Sequence, residues 1–241
     1  MQLESTPDLV WVASLAGASP RAAKKALEEA KSERGLFSHL TREHRSEGRP
    51  GYGEIDAPLE LYALVRLLRP THVVEVGVAS GVSSAYLLAA LEKNRHGTLH
   101  SVDLPRRPPA RREEGEPKAS WTIPLGRTSG WAVPFRLRKR WDLRLGDKAE
   151  VLPLLAQELP AIELFVYDVP HACDRARREF ATLDARLPPG SVVIVDHGPG
   201  GGLCPALRSW ARARHVATFP RIGTGLHGWG RTPARRSNHR G

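Results

Sequence analysis

Apolar positions change period several times along this chain, and the changes mark its elements. From Arg69-Pro70 onward, short runs rich in Val, Ile and Leu alternate with stretches whose apolar residues recur every three or four positions, the patterns of buried strands and of helices. The runs predict strands over 72–76, 98–102, 141–145, 162–167, 191–195, 215–219 and 226–230. Helices are predicted over 83–91, 148–157, 171–186 and 205–214, the third with apolar Ala176, Phe180, Leu183 and Leu187. Such alternation implies a parallel sheet with helices on both faces. Only a short loop around Gly223 separates the last two runs. A parallel crossover takes a dozen or more residues, so this pair is expected to be an antiparallel hairpin. The fold class is therefore α/β, with a seven-stranded, mostly parallel sheet and an antiparallel last strand.

Upstream, Asp56 reads as the cap of a helix carrying Leu61, Leu64, Val65 and Leu68. Ser19-Pro20 reads as an N-cap with Pro in the first turn, and Gly35 as the stop of a polar helix over 21–34. With the apolar stretch Leu9 to Leu15 this makes an N-terminal accessory region, followed by a charged loop over 39–53. Residues 105–140 carry no periodicity and form an insertion that could act as a lid, with Trp121, Trp131 and Phe135 as its aromatics. The expected organisation is a helical extension over 1–55, the α/β domain over 56–230 and a basic tail over 231–241.

The formal charge of +10 sits unevenly. Between Leu104 and Arg144 eleven Lys/Arg face four acids, and the tail adds four Arg with no acid, so the rest of the chain is close to neutral. A localised basic excess raises a nucleic-acid partner, but no recognisable nucleic-acid module accompanies it. No apolar run reaches about eighteen residues, and the N-terminus lacks a basic region and a cleavage site. No membrane role is expected, and a cytoplasmic location is. Cys173 and Cys204 show no Cys-x-x-Cys spacing and are expected to be free thiols.

Three constellations carry chemistry. The first is Glu75-Val-Gly77-Val-Ala79-Ser-Gly81, closing the first strand. Glycines at a strand-to-helix turn let backbone N–H groups approach a ligand closely, although a tight turn without a ligand shows the same pattern. The second is Asp103, twenty-six positions beyond Gly77 at the end of the second strand, where a carboxylate can accept both hydroxyls of a ribose. The third joins Asp168 and His171, after the fourth strand, to Asp196 and His197, after the fifth. Ligands of open α/β sheets bind beyond the strand ends. Carboxylates there suit Mg²⁺ or Mn²⁺, and an imidazole shifts the preference toward Mn²⁺, Fe²⁺ or Zn²⁺.

On these residues the sequence resembles the class I S-adenosylmethionine-dependent methyltransferases, with their Rossmann-like fold. Glu75-x-Gly77-x-Ala79-x-Gly81 follows their first motif with Ala79 in place of the middle glycine. The resemblance spans roughly Asp56 to Arg231. It implies that Glu75, Gly77, Ala79, Gly81 and Ser83 hold the methionine part of S-adenosylmethionine and Asp103 its ribose. Asp147 and Lys148, after the third strand, would lie against the adenine, with Asp168 also near the cofactor. The third constellation looks like the metal-dependent small-molecule O-methyltransferases of the catechol and the sugar or macrolide types. That likeness makes Asp168, Asp196 and His197 the metal ligands and His171 the general base, helped by Asp168. His197 departs from the family, where Asn or a carboxylate is usual.

The function this implies is O-methylation of a small-molecule hydroxyl, with a divalent metal assisting, by a chain that is compatible with homo-oligomers. Two rivals remain at this point. One is an RNA or DNA methyltransferase using the basic insertion and tail. The other is a cofactor-binding protein that keeps the fold without catalysis.

Overall fold

A computed structural model describes residues 7–47, 57–104, 123–124, 126–168, 173–196, 204–221 and 226–230. Asp56, Trp121, His171, His197, the glycine run 198–202 and the tail over 231–241 lie outside the described residues.

The seven strands are β1 (His72–Val76), β2 (Thr98–Asp103), β3 (Trp141–Leu145), β4 (Leu164–Asp168), β5 (Val192–Asp196), β6 (Ala217–Pro220) and β7 (Leu226–Gly230). They form one sheet in the order β3-β2-β1-β4-β5-β7-β6. Strands β1 to β5 pair in parallel, and β7 runs antiparallel to both β5 and β6. The chain reverses direction across the sheet between β1 and β4, which places a crevice at their carboxyl ends.

Side chains alternate across each strand, and the two faces found two separate cores. Val73, Leu99, Leu164, Val166, Val192 and Ile194 pack toward α4 (Pro58–Leu68) and α5 (Val82–Asn94). Val74, Val76, Val102, Phe165, Tyr167, Val193 and Val195 pack toward α6 (Lys148–Glu158), α7 (Cys173–Leu183) and α8 (Pro205–Ala213). The second core is rich in aromatics: Phe180 meets Trp210 edge-on with ring centroids 5.1 Å apart, and Trp210 meets Trp229 at 5.8 Å.

The N-terminal region differs from its sequence-based outline. Helix α1 (Leu9–Ala16) is capped by Asp8, whose Oδ1 accepts from Trp11 N at 2.8 Å, and α2 spans Pro20–Ser32. Gly35 does not end a helix. It lies in the first turn of α3 (Arg34–Ser46), which replaces most of the expected loop over 39–53. The helix forms because Leu36, Leu40 and His44, spaced four apart, are all buried and give it one inward stripe. The charges between them had hidden that stripe.

One buried ion pair fastens this region to the sheet edge. Glu60 of α4 and Arg221, just past β6, are 2 % and 4 % exposed. Glu60 Oε1 accepts from Arg221 Nε at 2.8 Å and from Asp8 N at 3.2 Å, while Trp11 Nε1 donates to Phe219 O at 2.7 Å. Burial raises the Glu60 carboxyl above its ordinary range, and the Arg221 charge opposes that rise. Removing one partner strands the other in a dry site. Arg221→Met is therefore expected to cost about 3–5 kcal/mol in urea unfolding, and the double variant Glu60→Leu/Arg221→Met to recover most of that loss. Equal losses in single and double variants would refute the pairing argument.

Candidate active site

The turn that follows β1 has a backbone few residues tolerate. Gly77, Ala79 and Gly81 all take positive φ, at 92°, 48° and 93°. Gly77 N donates to Val102 O at 3.0 Å, and Gly81 N to Val78 O at 2.8 Å, which fixes the turn on β2 and starts α5. Ala79, where the family motif has glycine, is an alanine held in left-handed geometry, a position that ordinarily costs a side chain about 1 kcal/mol or more.

Glu75 lies beneath this turn, fully buried. Its Oε1 accepts from Ser83 Oγ at 2.6 Å, and its Oε2 from Ser84 Oγ at 2.6 Å and Ser101 Oγ at 2.7 Å. Trp141 Nε1 donates in turn to Ser101 Oγ at 2.9 Å. Burial pushes the Glu75 carboxyl above the ordinary range; the three hydroxyls pull it back and the nearby Asp103 adds to the rise. Ser83, one of the residues expected at the cofactor, is also a partner of Glu75. Ser84 and Ser101 belong to the same arrangement and were missed from the sequence. Their signal was a polar residue at an inward position of an apolar segment.

Asp103 closes β2 beside the turn. Its Oδ2 accepts from Ala79 N at 3.1 Å and its Oδ1 from Leu104 N at 2.9 Å, and its backbone oxygen accepts from Gly146 N at 2.9 Å. The structure therefore brings together the glycine turn, Asp103 and the turn after β3. There Asp147 caps α6, accepting from Ala149 N at 2.9 Å. Lys148 contacts α7 and β4. Its Nζ lies 3.1 Å from Glu179 Oε2 and 3.3 Å from Tyr167 Oη, and Tyr167 also donates to Glu179. Burial lowers the Lys148 ammonium's pKa against the opposing pull of Glu179, and burial with Glu179 raises that of the Tyr167 phenol.

Asp168 and Asp196 end β4 and β5 as register partners, which on adjacent strands puts their backbones about 4.8 Å apart. Among the described residues no group of three His, Cys, Asp or Glu is disposed to hold a metal ion. The expected free thiols are instead joined: Cys173, the first residue of α7, forms a disulfide with Cys204, the N-cap of α8, with Cα atoms 5.7 Å apart. Proximity in the fold made this pair, and nothing in their sequence spacing announced it.

The second half of the insertion is packed. Gly130 N donates to Ala79 O at 2.9 Å and Ala132 N to Ser80 O at 3.0 Å, so residues 130–132 lie along the glycine turn. Helix α3 closes over the same place: His44 Nε2 is 3.0 Å from Ser80 Oγ, His39 Nε2 is 3.1 Å from Ala132 O, and Arg127 Nε donates to Glu47 Oε1 at 2.8 Å. Trp131 is buried against His44, with ring centroids 5.4 Å apart, while Phe135 is 89 % exposed. Residues 126–140 thus lie against the body of the domain, whereas 105–122 lies outside the described residues.

A glycine turn closing β1, a carboxylate closing β2 and a 3-2-1-4-5-7-6 sheet define the class I methyltransferase fold. A family model described as a methyltransferase domain matches residues 74–197. The chain belongs to that methyltransferase family. Solved structures of similar fold include a putative O-methyltransferase from Klebsiella pneumoniae, 16 % identical over 83 % of this chain and 90 % of that one, with a TM-score of 0.56. The O-methyltransferase TomG from Streptomyces achromogenes, solved with S-adenosylmethionine, is 17 % identical over 83 % and 90 %, with a TM-score of 0.55. An O-methyltransferase from Bacillus cereus, solved with S-adenosylhomocysteine, is 12 % identical over 82 % and 91 %, at 0.54. Comparison with curated proteins gives no match.

Two predictions follow from the turn. A Cβ on Gly81 would stand 2.5 Å from Val133 Cγ2 and 2.9 Å from Gly130 Cα. Gly81→Ala should thus lower unfolding stability by about 1–3 kcal/mol through overpacking, with added strain at this φ; a change below about 0.5 kcal/mol in denaturant melts would refute the packing. The second concerns charge. Because the folded state holds the Glu75 proton more tightly than the unfolded chain, this group's contribution to stability falls as pH rises from the ordinary carboxyl range toward its raised value. The stability of Glu75→Gln minus that of wild type should therefore increase between pH 4 and pH 7, and a flat difference would contradict the assignment.

Proposed function

We propose that the chain binds S-adenosylmethionine in the crevice between β1 and β4 and transfers its methyl group to a hydroxyl of a small molecule. The observation that carries the reading is the Asp103 carboxylate held against the N–H of Ala79, beside the positive-φ turn of Gly77, Ala79 and Gly81. A ribose placed there meets a fixed charged acceptor, and the α5 N-terminus with the Gly77 to Gly81 backbone meets the polar end of the methionine part. Glu75 supports the site from below by holding Ser83, Ser84 and Ser101. Asp147 and the backbone of Gly146 border the adenine, and Lys148 contributes by anchoring the start of α6 to Glu179.

Bound in this way, the cofactor supplies an electrophilic methyl on a sulfonium. The protein's own work is to align the acceptor oxygen in line with it, keep water out and remove the proton. His171, three residues past Asp168, is the proposed base, accepting the hydroxyl proton on an imidazole nitrogen as the oxygen attacks. The paired carboxylates Asp168 and Asp196, as oxygen donors, fit Mg²⁺ or Mn²⁺, with His197 as a third ligand. Such an ion would stabilise the developing alkoxide or phenolate. The O-methyltransferase names among the similar folds support hydroxyl as the acceptor class.

Calorimetry tests the cofactor half. Asp103→Ala loses charge-assisted hydrogen bonds worth about 1.5–3 kcal/mol, so S-adenosylmethionine affinity is expected to drop roughly ten- to hundredfold; an unchanged Kd would sink the ribose assignment. The transfer half is read against a panel of hydroxylated acceptors. Chelation with EDTA should abolish methyl transfer while sparing cofactor affinity, and His171→Ala should slow it about 10²–10⁴-fold. Full activity after exhaustive chelation would remove the metal from the reading.

A further inference from the structure

We propose that the flank of α5 and the short helix before β3 form a docking surface for single-stranded nucleic acid, with phosphates on Lys93, Arg95, Arg136 and Lys139 and a base stacked on Phe135. None of these residues belongs to the cofactor turn or to the ends of β4 and β5, so the proposal does not rest on the function assigned there. Residues Phe135–Arg140 make a 3-10 helix that lies against α5 and leads directly into β3. Leu137, 2 % exposed, fastens it to the core, and Arg136 Nη1 donates to Glu92 Oε2 of α5 at 2.9 Å. The surface is therefore rigid and formed in the absence of any ligand.

Positive charge gathers on it. Six cations, Lys93, Arg95, Arg136, Arg138, Lys139 and Arg140, stand against the two acids Glu33 and Glu92. Arg138 donates to Gly130 O at 3.2 Å and to Val133 O at 3.1 Å, and Arg140 to Gly97 O at 3.2 Å. These neutral carbonyls orient the guanidinium groups without cancelling their charge. Lys93, Arg95 and Arg136, all exposed, line a groove of about 490 Å³ together with Glu33, Ala89 and Glu92. The Arg136–Glu92 pair is 58 % and 50 % exposed, so water screens it and an arriving phosphate competes for the guanidinium fork.

Phe135 decides which polyanion fits. It precedes Arg136 in the chain and is 89 % exposed, more than any other large apolar side chain among the described residues. A phenyl ring left in water adds nothing to the fold, whereas its free face suits a base whose phosphate is held by the cations beside it. A membrane surface calls for a whole apolar helix face. Here Leu137, the other apolar residue of this short helix, is buried, and a single ring projects. An acidic peptide would engage the cations and leave the ring in water.

The test uses the full chain and fluorescence anisotropy of labelled oligouridine and oligothymidine, which separate RNA from DNA. With four phosphates engaged, binding should weaken roughly fiftyfold between about 50 mM and about 200 mM salt, since each contact adds about 0.7 to the logarithmic salt slope for a single strand. Arg136→Gln/Lys139→Gln should lower that slope by about 1.4 and raise Kd at least tenfold at the lower salt. Phe135→Ala should raise Kd about five- to 150-fold with the slope unchanged, the effect of one lost stacking contact. All three side chains are exposed, so melting temperature and S-adenosylhomocysteine affinity should stay at wild-type values and show that the variants fold. No binding at low salt would overturn the proposal. So would variants that bind as wild type does, the result expected if the basic residues over 105–122 or 231–241 made the contacts. Tighter binding to polyglutamate, which marks an acidic protein partner, or to phosphatidylserine vesicles, which marks a membrane surface, would overturn it as well.

Discussion

The site depends on one buried carboxylate. Glu75 has no access to solvent, and an ion in that position is tolerated only when its oxygens are bonded on all sides. Here the bonds come from three different places: Ser83 and Ser84 at the start of α5 and Ser101 in β2. Satisfying one side chain therefore fixes the angle at which α5 leaves β1 and the closeness of β2. The positive-φ turn is what remains when both are set. Asp103 is then brought to the turn by the same register that pairs Val76 with Val102.

A second layer comes from outside the α/β unit. Helix α3 and residues 126–133 both press on the glycine turn, through His44 on Ser80 and through the backbone of Gly130 and Ala132 on Ala79 and Ser80. The alanine at 79 sits in left-handed geometry, and these contacts hold it there; local strain persists where surrounding structure over-determines it. The N-terminal helices are thus part of how the cofactor turn keeps its shape.

What the sequence revealed and concealed follows from the range of the forces involved. The strands and the later helices were legible because burial imposes a period on each, and the short link around Gly223 correctly required an antiparallel β6–β7 pair. Glu75 and Asp103 were legible because a carboxylate at the end of an apolar strand stands out. Helix α3 was hidden because its stripe of Leu36, Leu40 and His44 is thin among charges, and Gly35 resembled a stop. The serines under Glu75, the inward turn of Lys148 and the Cys173–Cys204 bond were illegible for one shared reason. Each is a pairing between residues distant in sequence, and only the packed sheet brings them together.

The order of the sheet also decides how the molecule meets its own copies. Its two edges are β3 and β6, both short, and an unprotected edge invites another strand to add. On β6 the last residue is Pro220, which has no N–H to offer, and the strand is only four residues long. On β3 the outermost strand carries Asp142 and Arg144, bonded to one another and, through Arg144, to Glu158 of α6. A second chain approaching either edge finds a missing donor or a charge already engaged. Both ends of the sheet thus carry features that disfavour the addition of a further strand, without the sheet being closed into a barrel.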